Sequence, residues 1–125
     1  MESTMLIEID LNPRLPIYLQ IASGIRAALV DARLGPGDRL PAGRELARAL
    51  DVNLDTVQRA YRLLADEGLV TARVGRGTRV VDNVNRDEID LRQHIADLVT
   101  RATAVGVSTR QLAEMIRSTP DTFIT

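Results

Sequence analysis

Apolar positions recur at helical spacing over most of this chain, and one short stretch breaks that period with strand-like runs. Between residues 17 and 33, Tyr18, Ile21, Ile25, Ala28, Leu29 and Ala32 fall close to one stripe. They predict a first helix entered at Pro16, whose missing N–H would have had no partner inside the helix. The stretch "LGPGD" at 34–38 then forces a turn. Residues 42–50 predict a short second helix, with Leu46, Ala47 and Leu50 facing inward and Arg44 and Arg48 one turn apart on another face. A third helix is expected over 54–67, with Asn53 as its N-cap and Gly68 as its stop. Val57, Ala60, Tyr61 and Leu64 are its buried stripe.

After the third helix, "LVTARV" and "TRVV" are β-prone runs on either side of "GRG", the composition of a tight hairpin with Arg76 near its tip. Two helices joined by about three residues fit a helix-turn-helix unit, whose second helix enters the DNA major groove. Three helices followed by a hairpin make a winged helix-turn-helix, so the fold class is mainly α with a small β wing.

From 82 onward, Leu91, Ile95, Leu98, Ala102 and Val105 follow the four-and-three spacing of a seam, on a helix over about 87–105 ended by Gly106. Ser108 with Gln111 is a capping signal for a last short helix carrying Leu112, Met115 and Ile116. Two short amphipathic helices cannot bury their apolar faces alone, and must pack on the first domain, on a second copy of the chain, or on both. The expected organisation is therefore a winged helix-turn-helix over 1–81 and a short two-helix region over 82–125. Leu91, Ile95, Leu98, Ala102, Leu112, Met115 and Ile116 are the candidate dimerisation residues.

Composition narrows the chemistry. At 125 residues the chain is long enough for one compact core plus an appendage. With only Tyr18, Tyr61 and Phe123 as aromatics, that core is built from Leu, Ile, Val and Ala. There is no Cys and a single histidine, His94, so neither a zinc site nor a histidine-based nucleophile system has its parts. His94 sits at the edge of the tail seam, as a packing or surface residue. All sixteen basic residues are Arg, which excludes lysine Schiff-base chemistry. Asp87, Glu88 and Asp90 read as the acidic start of a helix rather than a catalytic pair. Neither an enzyme, a cofactor nor a metal is expected. The start "MESTMLIEID" lacks a signal-peptide pattern and no stretch approaches a membrane span, which leaves a cytoplasmic protein as the expectation.

The net charge of −1 averages over unlike segments. Residues 33–81 hold nine Arg against six acids, or +3, whereas each flank is −2. A polyanion would meet the middle.

The stretch from Pro16 to Val81 resembles the GntR-type bacterial transcription regulators, because "GPGDRLP", "RELA", "TVQRAY", "EGL" and "GRGT" occur in that family's order and spacing. The short helical tail is similar to that of the YtrA-type subfamily, and the resemblance implies that this region dimerises. It also implies that Arg44 contacts phosphate, that Asn53, Leu54, Asp55, Thr56 and Gln58 begin the recognition helix, and that Gly75 and Arg76 form a wing tip entering the minor groove. Many members carry arginine where Leu54 and Gln58 stand and Thr or Asn at Asp55, so base preference does not carry across.

The residues' own chemistry gives each candidate a role. Gln58 can donate to adenine N7 and accept from its amino group at once, or be a solvated glutamine. Asp55 either favours the positive end of the helix dipole or accepts from a cytosine amino group. Thr56 divides between phosphate contact and local backbone bonding. Arg44, Arg48, Arg59, Arg62, Arg73, Arg76 and Arg79 form an arginine-rich candidate surface on which Arg44, Arg59 and Arg76 are the leading contacts, while Arg48 and Arg62 could instead pair with Glu45, Asp51 or Asp66. The expected function is a sequence-specific DNA-binding regulator, a repressor, bound as a homodimer to double-stranded DNA at an inverted-repeat operator. The alternative is a winged-helix protein-interaction module without DNA binding. The sequence names no effector.

Overall fold

The computed structural model describes residues 15–73 and 77–121. Its elements are α1 (Ile17–Val30), α2 (Gly43–Leu50), α3 (Leu54–Asp66), β1 (Val70–Arg73), β2 (Gly77–Val80), α4 (Arg86–Ala104) and α5 (Thr109–Arg117). The chain divides into two compact units, residues 1–90 and 91–125. That division falls inside α4 rather than at 81, because Ile89 is buried with the first unit's core and Arg86 Nε donates to the Leu29 carbonyl at 2.9 Å.

In the first unit α1 packs along α3, and α2 closes one side. Ile21, Ile25 and Leu29 from α1 meet Val57, Ala60 and Leu64 from α3, with Leu34, Leu40 and Leu46 filling between them. Arg26 is buried in the same region and forks onto Glu67, with Nε to Oε1 at 2.9 Å and Nη2 to Oε2 at 2.5 Å. This two-pronged bond satisfies a charge that could not otherwise sit there, and it ties α1 to the end of α3.

The helices end by one device. After α3, Gly68 takes φ 79°, Gly68 N bonds the Ala65 carbonyl and Leu69 N reaches back to Leu64, a Schellman ending. After α1 the same pattern is built on Ala32, at φ 63°, with Arg33 N bonded to Ala28 at 2.8 Å. The first helix therefore stops at Val30, and Ala32 is exposed rather than part of the buried stripe. Asp51, at φ 56°, plays that part after α2 and sets the turn into α3.

β1 and β2 pair antiparallel, with Val70 opposite Val80 and Thr71 opposite Arg79. The segment before α2 adds a third rung: Gly37 N bonds the Val80 carbonyl, Leu40 N the Thr78 carbonyl and Val80 N the Asp38 carbonyl. Leu40, Val70 and Val80 point into the core, so the hairpin is anchored at its root. In the second unit, Ser108 caps α5 through a reciprocal capping box with Gln111.

Candidate nucleic-acid interface

One side of α3 is committed to the core, and the other is free. Val57, Ala60, Tyr61 and Leu64 are buried, whereas Asp55, Gln58, Arg59 and Arg62 are exposed. The helix is started by Asn53, whose side chain accepts from Asp55 N at 2.8 Å, so the cap also fixes the direction in which the first turn presents its residues. That occupies the Asn53 oxygen. Asp55 lies in the first turn, where its charge favours the helix dipole. Thr56 is half-buried.

Leu54 packs inward more than its position suggested. It lies against the core, and a Cβ placed on Gly43 would sit 3.1 Å from its Cδ1. The bare glycine at the start of α2 and the leucine at the start of α3 interlock, so Leu54 spends part of its surface holding the two helices together.

Arg44 and Arg48 are exposed on α2. Among the described residues, Arg44, Arg48, Arg59 and Arg62 have no carboxylate within ion-pairing distance. Gln58 and Arg62 line a cleft of about 530 Å³ between α3 and the wing, which Gly43, Ala72 and Thr78 also border. Tyr61 stands beneath it. Its hydroxyl donates to the Pro41 carbonyl at 2.7 Å, and burial, reinforced by the Glu45 carboxylate, holds its pKa above the ordinary phenol range.

The chain pattern did not reveal two further arrangements. The Arg59 guanidinium lies 3.9 Å from the ring centroid of Tyr18, a cation–π contact that makes half-buried Tyr18 a platform rather than only a member of the apolar stripe. Arg39, absent from the sequence-derived candidates, pairs with Arg79 at the root of the wing. Only the non-local pairing of 37–40 with β2 brings them together. Gly75 and Arg76 lie outside the described residues.

In the tail, the seam residues separate into two groups. Ala102 and Leu112 are buried and line a cleft of about 230 Å³ with Leu98, Val105, Val107 and Met115. Leu91, Ile95, Leu98, Val105, Met115 and Ile116 are exposed, from 38% at Leu98 to 76% at Val105. The outward apolar surface is therefore smaller than the spacing alone predicted. His94 is exposed, and among the described residues no group of His, Asp or Glu gathers to hold a metal ion. No described helix is long and apolar enough to cross a membrane.

The chain is similar to known proteins in sequence and in fold. Residues 17–80 match the family model for bacterial regulatory proteins, gntR family. The chain is 32% identical over 117 residues to the HTH-type transcriptional repressor YtrA of Bacillus subtilis (strain 168), covering 90% of each. It is similar to the solved structure of YtrA from Sulfolobus acidocaldarius, a GntR-family transcription factor, at 39% identity and a TM-score of 0.55, covering 89% of this chain and 93% of that one. AraR(DBD), solved in complex with operator ORX1, matches at 25% identity and a TM-score of 0.55, over 60% of this chain and 96% of the other. The α1–α2–α3–hairpin order, the outward face of α3 and these matches agree: this chain belongs to the gntR family of bacterial regulatory proteins.

Proposed function

We propose that the protein is a cytoplasmic, sequence-specific DNA-binding transcription regulator that acts as a repressor. It binds an inverted-repeat operator as a homodimer, with α3 in the major groove. The observation that carries this reading is the free face of α3: Gln58, Arg59 and Arg62 are exposed together, with no carboxylate taking up the guanidinium groups among the described residues. Guanidinium contacts to phosphate fix position, and Gln58 reads a base. Arg44 on α2 and Arg59 on α3 take phosphates, and Gly75 and Arg76 carry the wing tip into the minor groove. The winged domain, residues 1–81, performs this binding, and the tail supplies the dimer through Leu91, Ile95, Leu98, Met115 and Ile116. Two-fold symmetry of the protein then matches two-fold symmetry of the operator. The operators named for the AraR(DBD) structures support the DNA reading, and the repressor named among the relatives supports its sign.

A mobility-shift titration on the DNA upstream of the protein's own gene tests this. Retarded complex is expected, and if a dimer neutralises about six to eight phosphates, log affinity falls against log salt with a slope of about −5 to −7. Absence of complex at low salt, or a flat salt response, contradicts it.

A further inference from the structure

The wing sheet carries two positive charges where a sheet usually avoids them. Arg39 and Arg79 are partners in an isolated antiparallel bridge. The bonds flanking them, Leu40 N to the Thr78 carbonyl and Val80 N to the Asp38 carbonyl, are both 2.8 Å. That pattern makes 39 and 79 a non-hydrogen-bonded pair, the closer kind, with Cα atoms about 4.5 Å apart and side chains leaving the same face. Their neighbours Leu40 and Val80 are buried, so the alternation that turns those two inward turns both arginines outward, and both are exposed. Like charges directly opposite each other destabilise a sheet.

Among the described residues neither guanidinium has a carboxylate within ion-pairing distance. Arg79 Nη1 donates instead to the Gly37 carbonyl at 3.2 Å. Arg39 rests against the bare backbone of Gly77: a Cβ there would lie 3.0 Å from Nε and 3.1 Å from Nη2, and Gly77 has φ +75° besides. The absence of a side chain at 77 therefore gives the Arg39 guanidinium its place. Arg79 also lines a cleft of about 440 Å³ that includes Asp82, whose carboxylate would repel an anion. The arginine pair, rather than the cleft, is the seat.

We propose that Arg39 and Arg79 together hold a phosphoryl group at the root of the wing. A shared anion offsets the repulsion between them, and guanidinium forks match phosphate oxygens. The phosphoryl group comes either from the DNA backbone, in which case the proposal rests on the DNA-binding reading, or from a small phosphorylated ligand, in which case it does not.

Two measurements test the seat on the full chain, comparing wild type with Arg39→Gln and Arg79→Gln. Circular dichroism confirms that the variants fold. In the first, inorganic phosphate is titrated into DNA-free protein while the amide resonances of Gly77 and Thr78 are followed; saturable shifts are expected in wild type and not in either variant. In the second, the salt dependence of duplex affinity is measured. A slope shallower by about 0.9 in either variant identifies the DNA backbone as the source. An unchanged slope with the phosphate shifts present identifies a free ligand. Wild-type protein that shows the shifts but binds no duplex sustains the seat and refutes the DNA reading. Failure of both measurements, with no wild-type-specific shifts and no change of slope, overturns the proposal.

Discussion

The Tyr61 hydroxyl donates to the Pro41 carbonyl at 2.7 Å inside the protein, tying α3 to the segment that leads into α2. The bond is buried. Replacing Tyr61 by Phe leaves the carbonyl unsatisfied and is expected to lower stability by about 1–3 kcal/mol, measured by urea unfolding.

The same residue predicts an alkaline limit. Burial and the Glu45 carboxylate raise the Tyr61 pKa in the folded protein, so the unfolded chain ionises it first. Its contribution to stability is therefore complete below about pH 10 and declines as pH rises from there towards the folded value. With no Lys or Cys in the chain, few other groups change charge in that range. Unfolding measured between about pH 9 and 12 should show a decline that is shallower in Tyr61→Phe; parallel curves would contradict the assignment.

Arg59 is held by a ring rather than by a carboxylate, which leaves its charge available while limiting its rotamers. Tyr18→Leu removes the platform while leaving Arg59 itself in place. An affinity loss of about 0.5–1 kcal/mol, equal on all duplexes, is expected, and Tyr18→Phe should restore it. In a double-mutant cycle with Arg59→Gln the two losses should not add. Full additivity would show that the ring does not act through the arginine.

The exposed tail residues make a separate claim. Ile95 is 47% exposed in the chain, so Ile95→Asp should leave the fold intact by circular dichroism. If the proposed homodimer forms through this face, the variant should sediment as a monomer and bind the operator more weakly than wild type. A folded variant that remains dimeric would remove this face from the interface.

Elements with a local signature were legible in the sequence. The Asn53 cap, the Ser108–Gln111 box and the glycine endings at 68 and 106 each sit where short-range chemistry requires them. The end of α1 was not legible, because alanine has no preference for the left-handed conformation that Ala32 adopts, and the helix reads three residues too long as a result. Ala32→Gly should accordingly stabilise the protein by about 0.5–1 kcal/mol, seen as a raised melting temperature; a fall would mean that the conformation costs nothing. Arg39 was missed for a different reason: its importance comes from pairing with β2, a contact between residues far apart in sequence that no local pattern encodes. The split of the tail seam into buried Ala102 and Leu112 and exposed Leu91 and Ile95 likewise depends on how α4 and α5 end up packed, not on spacing.

The outward face of α3 carries the whole functional account, and selection from random duplexes by wild type and by Gln58→Ala tests it most directly. Wild type should enrich an inverted repeat whose half-sites lie a whole number of helical turns apart. Gln58→Ala should lose preference at one base position in each half-site, worth about 1–3 kcal/mol, and keep the rest. No enriched sequence, or identical preferences in the two proteins, would contradict the account.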